Sequence, residues 1–456
     1  MPKLRNSVTW DRLNANPAQL PQLGHVVPVK SDINKESWWS VGSETLDRDY
    51  SDFEKYKNFM GFTGVGYARL QSGWAKCEPQ IGKYNFEWLD KHVDGLIAQG
   101  VKPWICLCYG NPVYSDAFGD NLGASIFGEG PIMEGWERYV AEVVKRYKGK
   151  VTMYEVWNEP DGNKPEVYAT LFQHTSNVIR KYDRDVKICA LALCGPNSGY
   201  ACKAVERMKE LNCLDNVDYI TYHAYYDNPE TVIPQALKMR EDVKNAAGRE
   251  IPFLQGETGC PGQLEYGHAM HSIEWNEYSQ AKWDLRQMLS QFAIGVPYSV
   301  FTMVDLNYGW MQQSYGLIRM NLHNEPQYLR PKFHAVQNVT SIFTYDVKSA
   351  GYFNVKSKAT RDITCFGLKK DDKVIGFALW FTGERPTDSL EREPVDLTVE
   401  CPSLTDPVYV DMITGTVYDI EGCIRNGRKG DRINLSKLPV WDSPMVVINR
   451  AEINFK

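Results

Sequence analysis

The chain of 456 residues lacks the features that mark several broad classes of protein. Nowhere do 18 uncharged apolar residues run together, and no apolar signal-peptide core follows residues 1–5. The net charge is −6, and no run of Lys and Arg resembles a nucleic-acid footprint. We therefore expect no membrane span and no nucleic-acid partner. The expected location is the cytoplasm, or outside it if a signal peptide has been removed.

Motifs of several enzyme classes are absent as well. The chain has no Gly-x-Ser-x-Gly nucleophile turn, and no Gly-x-Gly-x-x-Gly or phosphate loop opens a helix. The eleven cysteines are an odd number, and Cys106, Cys108, Cys189 and Cys194 lie in or beside apolar runs, as small buried hydrophobes do. These absences argue against a serine hydrolase, a nucleotide cofactor and a disulfide framework, and we predict no cofactor.

What the sequence does contain is a regular alternation of strand-like and helix-like segments. Eight short apolar runs, each followed by turn residues and a helical pattern, are centred near Ser40, Ala68, Ile105, Tyr154, Cys189, Ile220, Leu254 and Val300. Their mean spacing of about 37 residues is typical of a (β/α)8 barrel. Helical spacing is clearest in one set of apolar positions, namely Trp136, Tyr139, Val140, Val143, Val144 and Tyr147. The expected fold class is therefore α/β, with a TIM barrel.

A second domain is indicated after about Phe343, where helical periodicity gives way to short β-rich runs. These runs cover residues 363–368, 374–381, 395–399, 407–411, 417–419 and 445–448. They predict a C-terminal antiparallel β-sandwich. The expected division is an N-terminal segment at 1–30, a catalytic barrel at 31–342 and the sandwich at 343–456. In the N-terminal segment, residues 7–13 are expected to add a strand to the sandwich.

Two glutamates at predicted strand ends carry the chemistry. The apolar run at 153–157 delivers Asn158 and Glu159 at its C-terminal end, where Pro160 stops further pairing. Glu257 ends the seventh predicted strand, 98 residues or three βα units after Glu159. The ends of strands four and seven face each other across a barrel mouth. Two opposed carboxylates, about 5 to 5.5 Å apart, are what glycoside hydrolysis by double displacement requires.

These motifs resemble a known group of enzymes. Trp157-Asn158-Glu159-Pro160 on strand four, with Glu257 on strand seven, resembles clan A of the glycoside hydrolases, the retaining barrel enzymes. The segment 73–79 looks like the strand-two loop of many members. The segments 221–225 and 316–318, with the β-rich tail, are most similar to glycoside hydrolase family 39. The resemblance implies a retaining enzyme that cleaves an oligo- or polysaccharide without a metal or other cofactor.

The resemblance also implies roles for individual residues. Glu159 would be the general acid/base and Glu257 the nucleophile. Further site residues would be Asn158 at the sugar 2-hydroxyl, Arg69 and Tyr225 beside Glu257, and His223 in the pocket of the reacting sugar. Asp305 and Trp310 follow strand eight, and Tyr109 and Asn111 end strand three, so they are further candidates for contacts with sugar.

Several alternatives stay open from the sequence. Glu265, His268, His271 and Glu274 recur every three residues and could offer metal ligands on one helical face, but the spacing matches no standard zinc motif. A carbohydrate-binding protein without turnover, or a transglycosylase, could have the same barrel. A neutral sugar is favoured, because Arg319 is only half of the basic pair that a uronic acid would require. The loops at 109–133 and 260–277 would decide between exo and endo action.

Overall fold

The computed structural model describes residues 4–116, 130–402, 404–425 and 431–456. Its centre is a closed barrel of eight parallel strands. In order around the barrel, strands one to eight are Ser40–Gly42, Tyr67–Gln71, Lys102–Leu107, Met153–Val156, Lys187–Leu193, Tyr219–His223, Phe253–Thr258 and Tyr298–Val300. Each strand contains, or lies within one residue of, a position that the sequence predicted as a strand centre, and the barrel prediction is confirmed.

Helices surround this barrel, as the alternating pattern predicted. The eight longer helices that follow the strands are Phe53–Met60, Glu87–Ala98, Pro131–Tyr147, Pro165–Tyr182, Ser198–Glu210, Val232–Ala247, Glu277–Ala293 and Pro331–Ile342. A shorter helix, Trp74–Cys77, follows strand two. The six apolar residues that indicated the helix Pro131–Tyr147 are all buried. Their spacing therefore marks the face that packs on the barrel.

The C-terminal part consists of two antiparallel sheets. The larger sheet has the order Gln22–His25, Thr416–Asp419, Pro407–Asp411, Met445–Asn449, Lys373–Phe381, Ile363–Lys370 and Lys348–Tyr352. The smaller sheet has the order Val355–Ser357, Glu393–Val399, Ile433–Val440 and Ile424–Arg425. The six predicted β-rich runs are all strands of these sheets, so the predicted barrel with an appended sandwich is confirmed.

The N-terminal segment differs from the expectation. Residues 7–13 were expected to form a strand, but Val8–Asn14 is a helix, and the Oγ of Ser7 caps it by accepting a hydrogen bond from the Trp10 backbone N–H at 3.2 Å. Ser before a short amphipathic run is a helix start, and this local signal outweighs the strand-like pattern. The strand that the segment contributes to the larger sheet is Gln22–His25, which pairs with Thr416–Asp419.

Short elements shape the mouth of the barrel. Two hairpins follow strand eight, Leu306–Asn307 with Gln312–Gln313 and Ile318–Met320 with Pro326–Leu329. Turns of 3-10 helix occur at Leu46–Arg48, Gly61–Thr63, Pro160–Gly162, Leu214–Asn216, Pro229–Thr231, Glu421–Cys423 and Arg450–Glu452.

All eleven cysteines are free. Within the described residues, none of the helices has the length and apolar character that crossing a membrane would require.

Candidate active site

Glu159 lies just beyond barrel strand four, in a turn with unusual backbone geometry. Trp157 and Glu159 both have left-handed backbones, with φ values of 70° and 51°. Left-handed conformations are uncommon outside glycine and occur often at functional sites. The Glu159 backbone N–H donates to the carbonyl of Ala192 at 2.9 Å, which ties the turn to strand five. The turn leaves the Glu159 side chain 37% exposed at the barrel mouth.

Glu257 faces Glu159 from within barrel strand seven, and its side chain is only 12% exposed. One carboxylate oxygen of each glutamate and the Nδ1 atom of His223 all lie within 4.8 Å of one another. Retaining glycosidases hold their two carboxyl groups about 5 to 5.5 Å apart, closer together than inverting enzymes do. The two glutamates that the sequence placed on opposite sides of the barrel mouth lie close together in the folded chain.

Arg69 on strand two connects the residues of this site. It is fully buried, and its guanidinium makes several charge-assisted hydrogen bonds. Its Nε donates to Glu155 Oε2 at 2.7 Å, and its Nη2 donates to Asn158 Oδ1 at 2.7 Å. Its Nη1 donates to both Glu257 Oε2 at 2.9 Å and Glu44 Oε1 at 2.8 Å. Arg69 thus fixes both Glu257 and Asn158, and it joins strand two to strands four and seven.

The surroundings of Glu257 favour its ionised form. Burial raises the pKa of Glu257, but the charges of His223 and Arg69 and a hydrogen bond from Tyr225 lower it, and the net shift is downward. The Tyr225 hydroxyl donates to Glu257 Oε1 at 2.7 Å. A carboxylate that stays ionised is the form that a nucleophile needs.

His223 contacts both glutamates. Its Nδ1 atom lies 2.9 Å from Glu159 Oε1 and 3.9 Å from Glu257 Oε1. Burial lowers the pKa of His223, but the charge of Glu257 and the hydrogen bond with Glu159 raise it, and the net shift is upward. The imidazole is therefore more easily protonated than a free histidine side chain, and it holds the Glu159 carboxyl through a hydrogen bond.

Five of the ten predicted site residues line one cavity of about 510 Å³ at the barrel mouth, namely Tyr109, Asn158, Glu159, Tyr225 and Glu257. Arg69 hydrogen-bonds to Glu257 and Asn158, and His223 hydrogen-bonds to Glu159, although neither residue lines the cavity itself. The Tyr109 hydroxyl accepts a hydrogen bond from Gln71 Nε2 at 3.1 Å. A concave, largely polar site of this size suits a sugar unit, whose hydroxyl groups need several hydrogen-bond partners.

Three predicted residues lie outside this cavity. Asn111 is buried and donates to the backbone carbonyl of Glu78 at 2.8 Å, so it supports the strand-three loop. Asp305 is buried too, and it accepts from Arg330 Nη1 at 2.5 Å and from the Gly316 backbone N–H at 3.0 Å. Trp310 is 67% exposed and stacks on His268, a cavity-lining residue, with ring centroids 5.2 Å apart. Asn111 and Asp305 thus make contacts within the protein, and their sugar contacts stay a prediction.

The structure adds acidic residues that the sequence reasoning missed. Glu155 is fully buried inside strand four and pairs with Arg69, while Thr221 Oγ1 donates to its Oε1 at 2.5 Å. Glu44 follows strand one and lines the cavity. A charged residue inside an apolar strand, and a polar run directly after the first strand, were the available signals.

The alternative metal site has no helix to carry it. The stretch from 265 to 274 is made of turns and bends rather than helix. Glu265 is buried and accepts from the Ser314 hydroxyl at 2.6 Å, whereas His268 contacts the Tyr308 ring at a tilt and stacks on Trp310. The common helical face that the metal alternative requires does not form in this stretch. Part of the other long loop, 109–133, lies outside the described residues.

Comparisons with known proteins agree with this architecture. The family model for glycosyl hydrolases family 39 matches residues 74–250. A curated beta-xylosidase of Geobacillus stearothermophilus is 25% identical over 159 residues, which is 31% of this chain and 31% of that protein. The matched part thus spans about a third of that relative's length.

Two solved structures share the fold over nearly the whole chain. A family 39 glycoside hydrolase from the gut symbiont Bacteroides cellulosilyticus WH2 is 17% identical with a TM-score of 0.65, over 93% of this chain and 83% of that one. A monomeric beta-xylosidase from Caulobacter crescentus CB15 is 15% identical with a TM-score of 0.59, over 94% of this chain and 97% of that one. At these identities the likeness is one of fold.

The barrel with its appended sandwich is the fold of the two solved glycosidases, and residues 74–250 of the chain are similar to glycosyl hydrolases family 39. That family model covers strands three to six and the segment with Glu159. The resemblance predicted from Trp157-Asn158-Glu159-Pro160 is confirmed.

Proposed function

We propose that this chain hydrolyses a glycosidic bond with retention of anomeric configuration, through a covalent intermediate on Glu257. The observation that carries the proposal is the close approach of the Glu159 and Glu257 carboxylates across the barrel mouth, within 4.8 Å. The surroundings of the two carboxylates support different roles. Glu257 accepts hydrogen bonds from Arg69 and Tyr225, whereas Glu159 is hydrogen-bonded to His223.

In the first step, protonated Glu159 gives its proton to the oxygen of the leaving group. The Glu257 carboxylate attacks the anomeric carbon, and the bond from that carbon to the leaving oxygen breaks. The product is an ester between Glu257 and the sugar. Arg69 and Tyr225 hold Glu257 in line for this attack, because each fixes a different oxygen of the carboxylate.

In the second step, a water molecule takes the place of the leaving group. Glu159, now ionised, removes a proton from this water, whose oxygen attacks the anomeric carbon and releases Glu257 as a carboxylate. The same group thus acts first as an acid and then as a base.

A neutral sugar is the proposed substrate. Arg319, the candidate cation for a uronic acid, donates to Asp305 at 3.2 Å and is not among the residues around the cavity. Arg48 does line the cavity, but it pairs with Asp47 at 3.4 Å and donates to Gln71. Because two relatives carry the name beta-xylosidase, aryl β-xylosides are the first compounds to assay.

Substitution of each glutamate tests the two roles separately. Glu257→Gln is expected to lower kcat at least about 10³-fold on every accepted aryl glycoside, because the nucleophile is lost. Glu159→Ala is expected to keep activity on substrates with good leaving groups and to be rescued by azide, since neither needs the acid.

The matched control is Glu166→Gln, an exposed glutamate in the helix Pro165–Tyr182, which should retain full activity. Near-normal turnover by folded Glu257→Gln would refute the nucleophile assignment. Sugar binding without any turnover by the unmodified protein would instead favour a binding protein, and dominant transfer to an added alcohol would favour a transglycosylase.

A further inference from the structure

Glu44 is a third glutamate in the cavity, placed there by barrel strand one. It is only 2% exposed, yet it lines the same cavity as Glu159 and Glu257. One of its oxygens, Oε1, accepts from Arg69 Nη1 at 2.8 Å, and that same nitrogen donates to Glu257 at 2.9 Å. The other oxygen, Oε2, is buried and has no hydrogen-bond partner among the described residues.

The charges around Glu44 disfavour its ionised form. Burial raises its pKa, Arg69 lowers it, the charge of Glu257 raises it and His223 lowers it slightly, with the result that the pKa is about 8. Burial raises the pKa of both Tyr56 and Tyr308, and the charge of Glu44 adds a smaller upward effect on each phenol. Two carboxyl groups that share one guanidinium nitrogen are not both readily ionised, and Glu257 holds the stronger set of donors.

A carboxyl group that lines a sugar-sized cavity and has one oxygen without a donor has a specific chemical use. The Glu44 side chain already hydrogen-bonds with Glu257, and the oxygen that has no donor can accept one hydrogen bond from a substrate hydroxyl group. Asn158 and Glu44 both line the cavity and both accept a hydrogen bond from Arg69, so they present neighbouring polar groups to a bound sugar.

Resting on the proposed hydrolase function, we propose that Glu44 binds a ring hydroxyl of the reacting sugar other than the 2-hydroxyl. Glu44 is then a specificity residue that selects sugars with a hydroxyl at one position. A buried polar group left without its partner costs free energy, so an analogue that lacks this hydroxyl should be discriminated against.

The test combines substitutions with deoxy substrates. Glu44→Ala and Glu44→Gln are compared with the unmodified enzyme on an aryl β-xyloside and on its 3-deoxy and 4-deoxy analogues. Glu44→Ala is expected to lower kcat/KM about 100-fold on the full sugar but less than about 3-fold on one of the two analogues, where the contact is already missing. Glu44→Gln should stay within about 10-fold, because the amide can both donate and accept.

Glu78→Gln serves as the matched control, since Glu78 is also a fully buried glutamate but bonds to Trp74 Nε1 and the Gly82 backbone N–H outside the cavity. It should lower kcat/KM equally, if at all, on all three substrates. An equal loss for Glu44→Ala on the sugar and on both analogues would overturn the proposal and leave Glu44 as a support for Arg69.

The same cycle can be measured without turnover. Free xylose and its two deoxy analogues are titrated into the unmodified protein and into Glu44→Ala by NMR. One outcome is that no aryl glycoside is hydrolysed, while Glu44→Ala weakens the binding of xylose and leaves the binding of one deoxy analogue unchanged. The hydrolase proposal then fails, and the contact at Glu44 stands. Equal weakening of all three sugars, or of none, refutes the contact.

Discussion

Two glutamates of identical chemistry acquire different properties here from their neighbours. Glu257 is nearly buried and accepts charged and neutral donors, which hold its pKa below the usual value, whereas Glu159 stays partly exposed and contacts His223. Sequence reasoning could identify this pair because strand ends and spacing are local properties. It could not place Glu44 beside Glu257, because that contact depends on the ring closing strand one against its neighbours.

Tyr225 offers a direct check of this division of roles. Tyr225→Phe removes the 2.7 Å hydrogen bond that stabilises ionised Glu257, so the pKa of Glu257 should rise. Since the carboxylate is the active form, kcat/KM falls as pH drops through that pKa. The acid limb of the pH profile is expected to move up by about one unit, with kcat lowered about 10-fold.

The matched control for this prediction is Tyr219→Phe. Tyr219 begins strand six, which precedes Tyr225 in the chain, and its side chain lines a cavity at the opposite end of the barrel. It should leave the acid limb in place. An acid limb unchanged in Tyr225→Phe would show that the hydrogen bond does not tune Glu257.

At the scale of whole elements, prediction succeeded where a pattern was long or repeated. The helix Pro131–Tyr147 carries an apolar stripe on one face, and each barrel strand is a short apolar run followed by turn residues. The strand Ile433–Val440 was missed because Ser436, Lys437 and Pro439 break its alternation. Its pairing with Glu393–Val399 is a tertiary contact that compensates for this weak local signal.

His92 in the helix Glu87–Ala98 makes the helix sensitive to acid. It is buried, and its Nε2 lies 2.8 Å from Ser43 Oγ, next to Glu44 in the chain. Burial and, to a lesser extent, Lys76 lower the pKa of His92 to about 3. Between about pH 6.5 and 3 the unfolded chain binds a proton that the folded chain does not, so stability falls as pH falls through that window.

We therefore expect His92→Gln to make the free energy of unfolding less dependent on pH between 3 and 6.5. The slope removed is at most about 1.4 kcal/mol per pH unit. Thermal unfolding at pH 7, 5.5 and 4.5 measures it, with exposed His271→Gln as the control. Identical slopes for His92→Gln and the unmodified protein would contradict the prediction.

At the scale of the whole molecule, one helix joins the two domains. From Ser279 onward, every residue of the helix Glu277–Ala293 is buried, including its charged residues. Arg286 donates to Glu230 at 2.5 Å, and Trp380 of the larger sheet donates to the other oxygen of Glu230 at 2.8 Å. The sequence could not reveal this arrangement, because polar residues on all faces of a helix usually indicate an exposed one.

The most sensitive link between the domains is the buried pair of Lys282 and Asp442. Lys282 Nζ lies 2.6 Å from Asp442 Oδ1 and donates to the carbonyl of Ser389, and the ammonium group packs over Trp441. Asp442→Ala would leave a buried ammonium without its counterion, which costs about 3 to 5 kcal/mol. The melting temperature should drop by roughly 5 to 10 °C.

Lys282→Met separates the loss of charge from the loss of packing. It removes the ammonium together with the need for a counterion, so it should destabilise the protein less than Asp442→Ala does.

The exposed pair of Lys238 and Asp242 is the surface control, and Asp242→Ala should shift the melting temperature by less than about 2 °C. Because the hydrogen bonds of Lys282 and Asp442 go to each other and to Ser389 and Thr387, kcat at 25 °C should stay unchanged. A fall in kcat without a fall in melting temperature would place the role of this pair in the active site instead of the domain junction.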